Sequence, residues 1–176
     1  KATIFNQPIG NWNVSSVTDT GFMFQNAKAF NQPIGNWNVS SVTSASWMFH
    51  EASEFNHPLG QWNASSITNM KGMFFGAAAF NQPLEDWNTS SATTIQWMFT
   101  NTPALSDVNK GLIHASFSTN SQWPYDWSAF VTTPPPNQTT DNNQTNPPPD
   151  NNGTNPPVDN NQTQTDPNVT MPAPGD

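Results

Sequence analysis

The chain of 176 residues contains no cysteine, and its four basic residues are all lysines. Disulfides, thiolate chemistry and cysteine-based zinc sites are therefore excluded. Charged residues make up only 9% of the chain, and no basic patch occurs. Nucleic acid is excluded as a partner on that ground, and attraction to an anionic membrane finds no support. The formal net charge of −8 divides into −3 for residues 1–133 and −5 for the remainder. No apolar run is long enough to cross a bilayer, so direct membrane insertion is not expected, and no secretory leader is visible in these residues. Aromatic residues are missing from one region only. All 8 Trp, all 12 Phe and the single Tyr lie at or before Phe130, whereas the 43 residues from Pro134 onward hold 11 Pro and no aromatic side chain.

What is present is repetition. The string FNQPIGNWNVSSVT runs from Phe5 to Thr18 and returns unchanged from Phe30 to Thr43. The 25-residue period holds over four copies: Phe at 5, 30, 55 and 80, Pro at 8, 33, 58 and 83, and Thr at 18, 43, 68 and 93. Trp12, Trp37, Trp62 and Trp87 recur in register, each followed by an asparagine: Asn13, Asn38, Asn63 and Asn88. Met-Phe closes every copy. A constant period of this length is the mark of a repeat architecture, in which one unit cannot bury its apolar face but stacked units share a core. Phe5, Ile9, Trp12, Val17, Met23, Phe24 and their equivalents fit that interior.

Within a unit, Trp12 to Val17 is rich in β-branched residues and reads as a short strand. Met23, Phe24, Ala27 and Phe30 fall on one helical face, with Thr18, Thr43, Thr68 and Thr93 placed as N-caps. Pro8 and its equivalents mark turns. The expected fold is a leucine-rich-repeat-like solenoid: short parallel strands on one side, short helices on the other, an aromatic C-terminal cap and a disordered tail. Residues 1–100 form the four repeats. Since Ala2 and Phe5 match Ala27 and Phe30, the array reads as N-terminally truncated, a piece of a longer protein. Residues 101–130 read as a capping segment, with Asp107–His114 helical, Val108, Leu112 and Ile113 turned inward, and a cluster of Phe117, Trp123, Tyr125, Trp127 and Phe130. Residues 131–176 carry a nine-residue Pro/Asn/Thr-rich period without apolar residues, which cannot offset the entropy of ordering, so a disordered linker is expected.

The string W-N-V-S-S-V-T, followed by M-F, A and F-N-Q-P, resembles the 25-residue repeat of BspA-like leucine-rich-repeat surface proteins of bacteria, including the mycoplasma-lipoprotein and marine bacterial types. The resemblance covers residues 1–130. It implies a secreted or surface-attached bacterial protein used for binding or adhesion. Thr20, Ala45 and Ile95 depart from the family's frequent Met two residues after the Thr, a position that Met70 alone keeps.

No catalytic motif emerges. No G-x-S-x-G is present, and no His or acid recurs at a fixed offset from Ser15 or Ser16. His50, Glu54 and His57 have a ligand-like spacing, but His57 fills a slot held by Gln7, Gln32 and Gln82, so no metal and no cofactor is expected. His114 stands alone in the cap and reads as structural. Asn13, Asn38, Asn63 and Asn88 begin N-x-[ST] sequons, as do asparagines of the tail; in the repeats an internal hydrogen-bonding role is the other reading. The four slot tryptophans read as core rather than as a sugar-stacking ladder. Binding residues are expected where the copies vary: Phe22, Trp47 and Trp97 in one slot, His50 and Phe75 in another. The expected function is non-catalytic: a monomeric, extracellular or cell-surface module that binds a protein on another cell or matrix, mediates adhesion, or acts as a spacer. The competing expectation is a carbohydrate-binding module whose exposed aromatics meet a glycan.

Overall fold

A computed structural model describes residues 2–132. The expected linker therefore lies, apart from its first two residues, outside the described residues, as do the sequons of the tail.

The strand-and-helix unit expected from the sequence is not what forms. Among the described residues there is no sheet. Strand pairing is reduced to three isolated parallel bridges, Asp19 with Ser44, Ser44 with Asn69 and Asn69 with Thr94. The leucine-rich-repeat-like solenoid of parallel strands and outer helices is thus overturned. The segment read as a strand instead closes a tight turn, with Val17 N–H donating to Val14 O at 2.9 Å. The segment read as a helix is a run of three-residue turns: Met23 N to Thr20 O, Gln25 N to Phe22 O, Ala27 N to Phe24 O and Phe30 N to Ala27 O.

The reason lies in the backbone. Two positions per unit, four residues apart, hold positive φ: Phe22 and Asn26 (both 59°), Trp47 (57°) and Glu51 (55°), Gly72 (58°) and Gly76 (69°), Trp97 (62°) and Asn101 (58°). A left-handed residue cannot continue a right-handed helix, so each turn is stopped before a second can form. The alternate N–H groups are then free to point sideways. Thr20, Phe22, Phe24 and Asn26 donate to Ser44, Ser46, Met48 and His50 of the next unit, at 2.7–3.0 Å. The same four bonds join units two and three, and units three and four. The buried Phe24, Ala27 and Phe30 are three apart, the step of these turns.

Side chains complete the stacking. The Nε1 of Trp37, Trp62 and Trp87 donates to the carbonyl 28 residues earlier, of Ile9, Ile34 and Leu59, at 2.9–3.1 Å. All three rings are buried. Trp12 has no such partner and is 58% exposed, and Met23 is exposed as well, although Met48, Met73 and Met98 are fully buried. Phenylalanines stack in files, for example Phe24 on Phe30 at 4.0 Å and Phe49 on Phe74 at 5.4 Å. The slot threonines cap no helix. Thr43, Thr68 and Thr93 hydroxyls donate to the carbonyl of the preceding Thr at 3.1–3.2 Å.

Two asparagine files divide the polar work. Asn13, Asn38 and Asn63 fold back on their own turn, each Oδ1 accepting the N–H and hydroxyl of the serine two residues on; Asn88 accepts the N–H of Ser90. Asn6, Asn31, Asn56 and Asn81 instead bridge units, accepting the N–H 25 residues later at 2.8–3.1 Å. Asn56 Oδ1 takes both the Asn81 N–H and the Gln82 side chain. Asn56→Ala is expected to lower stability by about 1–2 kcal/mol, because part-buried donors lose their acceptor. Urea denaturation of the variant measures this.

After the fourth unit the chain forms one α-helix, Asp107–Phe117, capped by Ser106, whose side chain accepts from Asn109 N. Its inward residues are Gly111, Ile113 and Phe117. Val108 and Leu112, expected inside, are 67% and 39% exposed. The helix face is rotated because Gly111 takes the closest approach, against the Phe130 carbonyl. Trp123, Tyr125 and Trp127 then close over Phe99, ring centroids 5.7–6.3 Å away.

Candidate functional site

The left-handed positions decide which side chains stand outside the stack. At φ near +60° the side chain is carried away from the file of lateral hydrogen bonds, and bulky residues are uncommon there. Three of the four units nevertheless place an aromatic at the first such position: Phe22, Trp47 and Trp97. Unit three has Gly72, and this gap organises the surface. A Cβ on Gly72 would lie 2.8 Å from Trp47 Cδ2. The Trp47 ring has laid itself over the glycine and reaches Trp97, two units away, at 6.1 Å.

The neighbouring variable slot adds His50 and Phe75. Trp47 meets the edge of His50 at 5.2 Å and lies 5.8 Å from Phe75, and His50 and Phe75 are 5.3 Å apart. Lys71 Nζ sits 4.9 Å from the Trp97 ring centre, a cation–π contact. Four of the five residues singled out by variability thus form one continuous patch on one flank. Phe22, 54% exposed, belongs to the same slot but enters none of these ring contacts. Lys71 joins them from another slot that changes between copies, held by Gly21, Ser46 and Gln96 elsewhere.

The histidines are accounted for by hydrogen bonds. His50 Nδ1 lies 3.2 Å from Gln25 Nε2, and His57 Nε2 3.1 Å from the Asn31 carbonyl. His114 Nδ1 accepts from Trp123 Nε1 at 3.0 Å. His50, Glu54 and His57 are not brought together. Among the described residues no group of three or more His, Asp or Glu could hold a metal ion, and every buried side-chain nitrogen or oxygen has a hydrogen-bond partner. No helix among them is long and apolar enough to cross a membrane.

Fold and flank together define a repeat protein of stacked 25-residue turn units that carries an aromatic surface on one side. Residues 1–112 match the family described as "Mycoplasma protein of unknown function, DUF285", and the chain belongs to that family. Comparison with curated proteins and with solved structures returned no match.

Proposed function

We propose that this chain is a non-catalytic binding module of the bacterial cell surface or exterior, and that its aromatic flank meets a macromolecular partner. One observation carries the reading. Trp47 and Trp97 occupy left-handed backbone that costs a bulky residue of order 1–3 kcal/mol, at a slot where Gly72 shows that glycine serves the fold. Trp97 is 52% exposed, so the core does not require it. A strained, exposed aromatic that the fold does not need is well suited to contact something else, and Trp is enriched among the residues that dominate binding energy. The placement outside the cell rests on the resemblance to BspA-like surface repeats; the family match itself carries no localisation. A protein partner, engaged for adhesion, is the reading preferred for the flank.

The test uses the glycine that nature already places in this slot. Trp47→Gly with Trp97→Gly removes both rings and relaxes the backbone, so the double variant is expected to stay folded by circular dichroism. Beads carrying the wild-type chain should adhere to at least one component of an array of extracellular-matrix proteins and cell-surface glycans. The variant should bind it about thirtyfold more weakly, the equivalent of a loss of about 2 kcal/mol. Equal adhesion by a folded variant would move the contact off this flank.

A further inference from the structure

Beyond the flank, a cleft of about 650 Å³ lies between the last units and the cap. Its walls are Phe75, Glu51 and Asn101 on the repeat side and Lys110, Tyr125 and Trp127 on the cap side. The volume lies within the usual range for small-molecule sites, about 300–1,000 Å³. We propose that this cleft binds a neutral saccharide, stacked on the Tyr125–Trp127 pair and hydrogen-bonded by Glu51 and Asn101. The cleft shares Phe75 with the flank, but the proposal does not rest on the flank reading.

The platform comes first. Tyr125 and Trp127 are half-buried and stack on each other at 4.8 Å and 24°, so a ligand meets the pair at its outer faces and edges. It is held from behind. The Tyr125 hydroxyl accepts the Phe99 N–H at 2.9 Å. Asp126, the residue between Tyr125 and Trp127 in sequence, accepts both the hydroxyl (2.7 Å) and the N–H (3.2 Å) of Ser128. Those bonds hold the Asp126 carboxyl below its ordinary range. The indoles of Trp37, Trp62 and Trp87 donate to carbonyls inside the stack. The Trp127 indole N–H has no protein partner among the described residues and is left for a ligand.

The polar groups follow from the second left-handed slot. Glu51, Gly76 and Asn101 lie one unit apart in register. Gly76 has no side chain, and that of Glu51 lies close over it: a Cβ there would meet Glu51 Cγ at 3.3 Å. A carboxylate and an amide on either side of Gly76 offer acceptors and donors to adjacent hydroxyls.

Charge and backbone then choose the ligand class. The charged residues of the lining are Glu51 and Lys110, and Lys110 is already paired to Asp107 at 3.0 Å, so the cleft offers no unpaired cation to a phosphate or a nucleic acid. An extended peptide would need a run of free main-chain groups, but the N–H groups of Glu51 and Gly76 are spent on Phe75 O and Thr100 O, which leaves that of Asn101 alone in this slot without a backbone partner among the described residues. An uncharged sugar needs none of these. Its C–H face stacks on an aromatic ring and its hydroxyls pair with a carboxylate and an amide.

The test is an NMR titration of the ¹⁵N-labelled chain with neutral cello-, chito-, malto-, xylo- and laminari-oligosaccharides. At least one is expected to shift the Trp127 indole N–H resonance while those of Trp37, Trp62 and Trp87 stay in place. Glu51→Gly with Asn101→Gly keeps the left-handed backbone, and Gly76→Asn copies units one and four while pressing on the Glu51 side chain. Both are expected to weaken the sugar at least tenfold, and Trp47→Gly with Trp97→Gly to leave it unchanged. The cleft assignment is overturned by no shift with any oligosaccharide, by affinity that survives the cleft variants, or by affinity lost with the flank variant.

Discussion

Trp62→Ala is expected to destabilise the fold by roughly 3–5 kcal/mol, the cost of truncating a fully packed aromatic. Trp62 is 3% exposed. Its ring stacks on Trp87 at 6.2 Å and packs against Phe49 at 6.5 Å. Its Nε1 donates to Ile34 O at 3.1 Å across the unit boundary. The Ile34 carbonyl keeps a second donor, the Trp37 N–H at 3.0 Å, so most of the loss comes from the cavity rather than from an orphaned acceptor. Trp12 supplies the control. It fills the same repeat slot, in GNWNVSSVT against GQWNASSIT around Trp62, yet no unit precedes it among these residues and it is 58% exposed. Trp12→Ala should stay within about 0.5 kcal/mol of the wild type, as surface substitutions usually do. Urea denaturation of the two variants separates the slot's sequence from its packing. A shift below 1 kcal/mol for Trp62→Ala would mean that the interior is not built on these rings.

The register was readable in the sequence, because a fixed 25-residue period has only one way to line up backbone groups between neighbours. The lateral bonds do run between residues 24 to 26 apart, and the indole bonds between residues 28 apart. The local conformation was misread. Met23, Phe24, Ala27 and Phe30 match a helical face as well as they match a run of three-residue turns, and periodicity over one short segment does not separate the two. The discriminating signal was a different column of the repeat. Gly72 and Gly76 sit four apart, and the second slot also carries Asn26 and Asn101. Glycine and asparagine are the residues that visit left-handed backbone most readily. Phe22, Trp47, Glu51 and Trp97 hid that signal by occupying the same positions. Variation between copies pointed to the flank, since side chains the stack does not constrain are free to differ. It could not show that Trp47 would bridge Gly72 to reach Trp97, because that contact depends on a missing side chain. The cleft was harder still. Tyr125 and Trp127 lie outside the repeat, and in the sequence they read only as cap.

Gly111→Ala is expected to loosen the cap, against the usual preference of helices. In an exposed helix interior, glycine is worse than alanine by roughly 0.5–1 kcal/mol, so propensity alone favours the change. Gly111 is buried in the middle of Asp107–Phe117, however. A Cβ there would lie 2.7 Å from the Phe130 carbonyl carbon, with the carbonyl oxygen closer still. Both neighbours are backbone, so no side chain can swing aside, and the 3₁₀ turn Ser128–Phe130 must move as a whole. Overpacking of this kind costs typically 1–3 kcal/mol or more, which outweighs the gain in propensity. The displaced turn is the one that carries Ser128 and so fixes Asp126 between Tyr125 and Trp127. The change should therefore appear first in the aromatic platform. The expected result is a loss of about 1–3 kcal/mol in urea denaturation, with the Trp127 indole resonance shifted and those of Trp37 and Trp62 unmoved. A variant as stable as the wild type, or more so, would show that the helix does not press on the Phe130 carbonyl and that the platform is not held from behind by this contact.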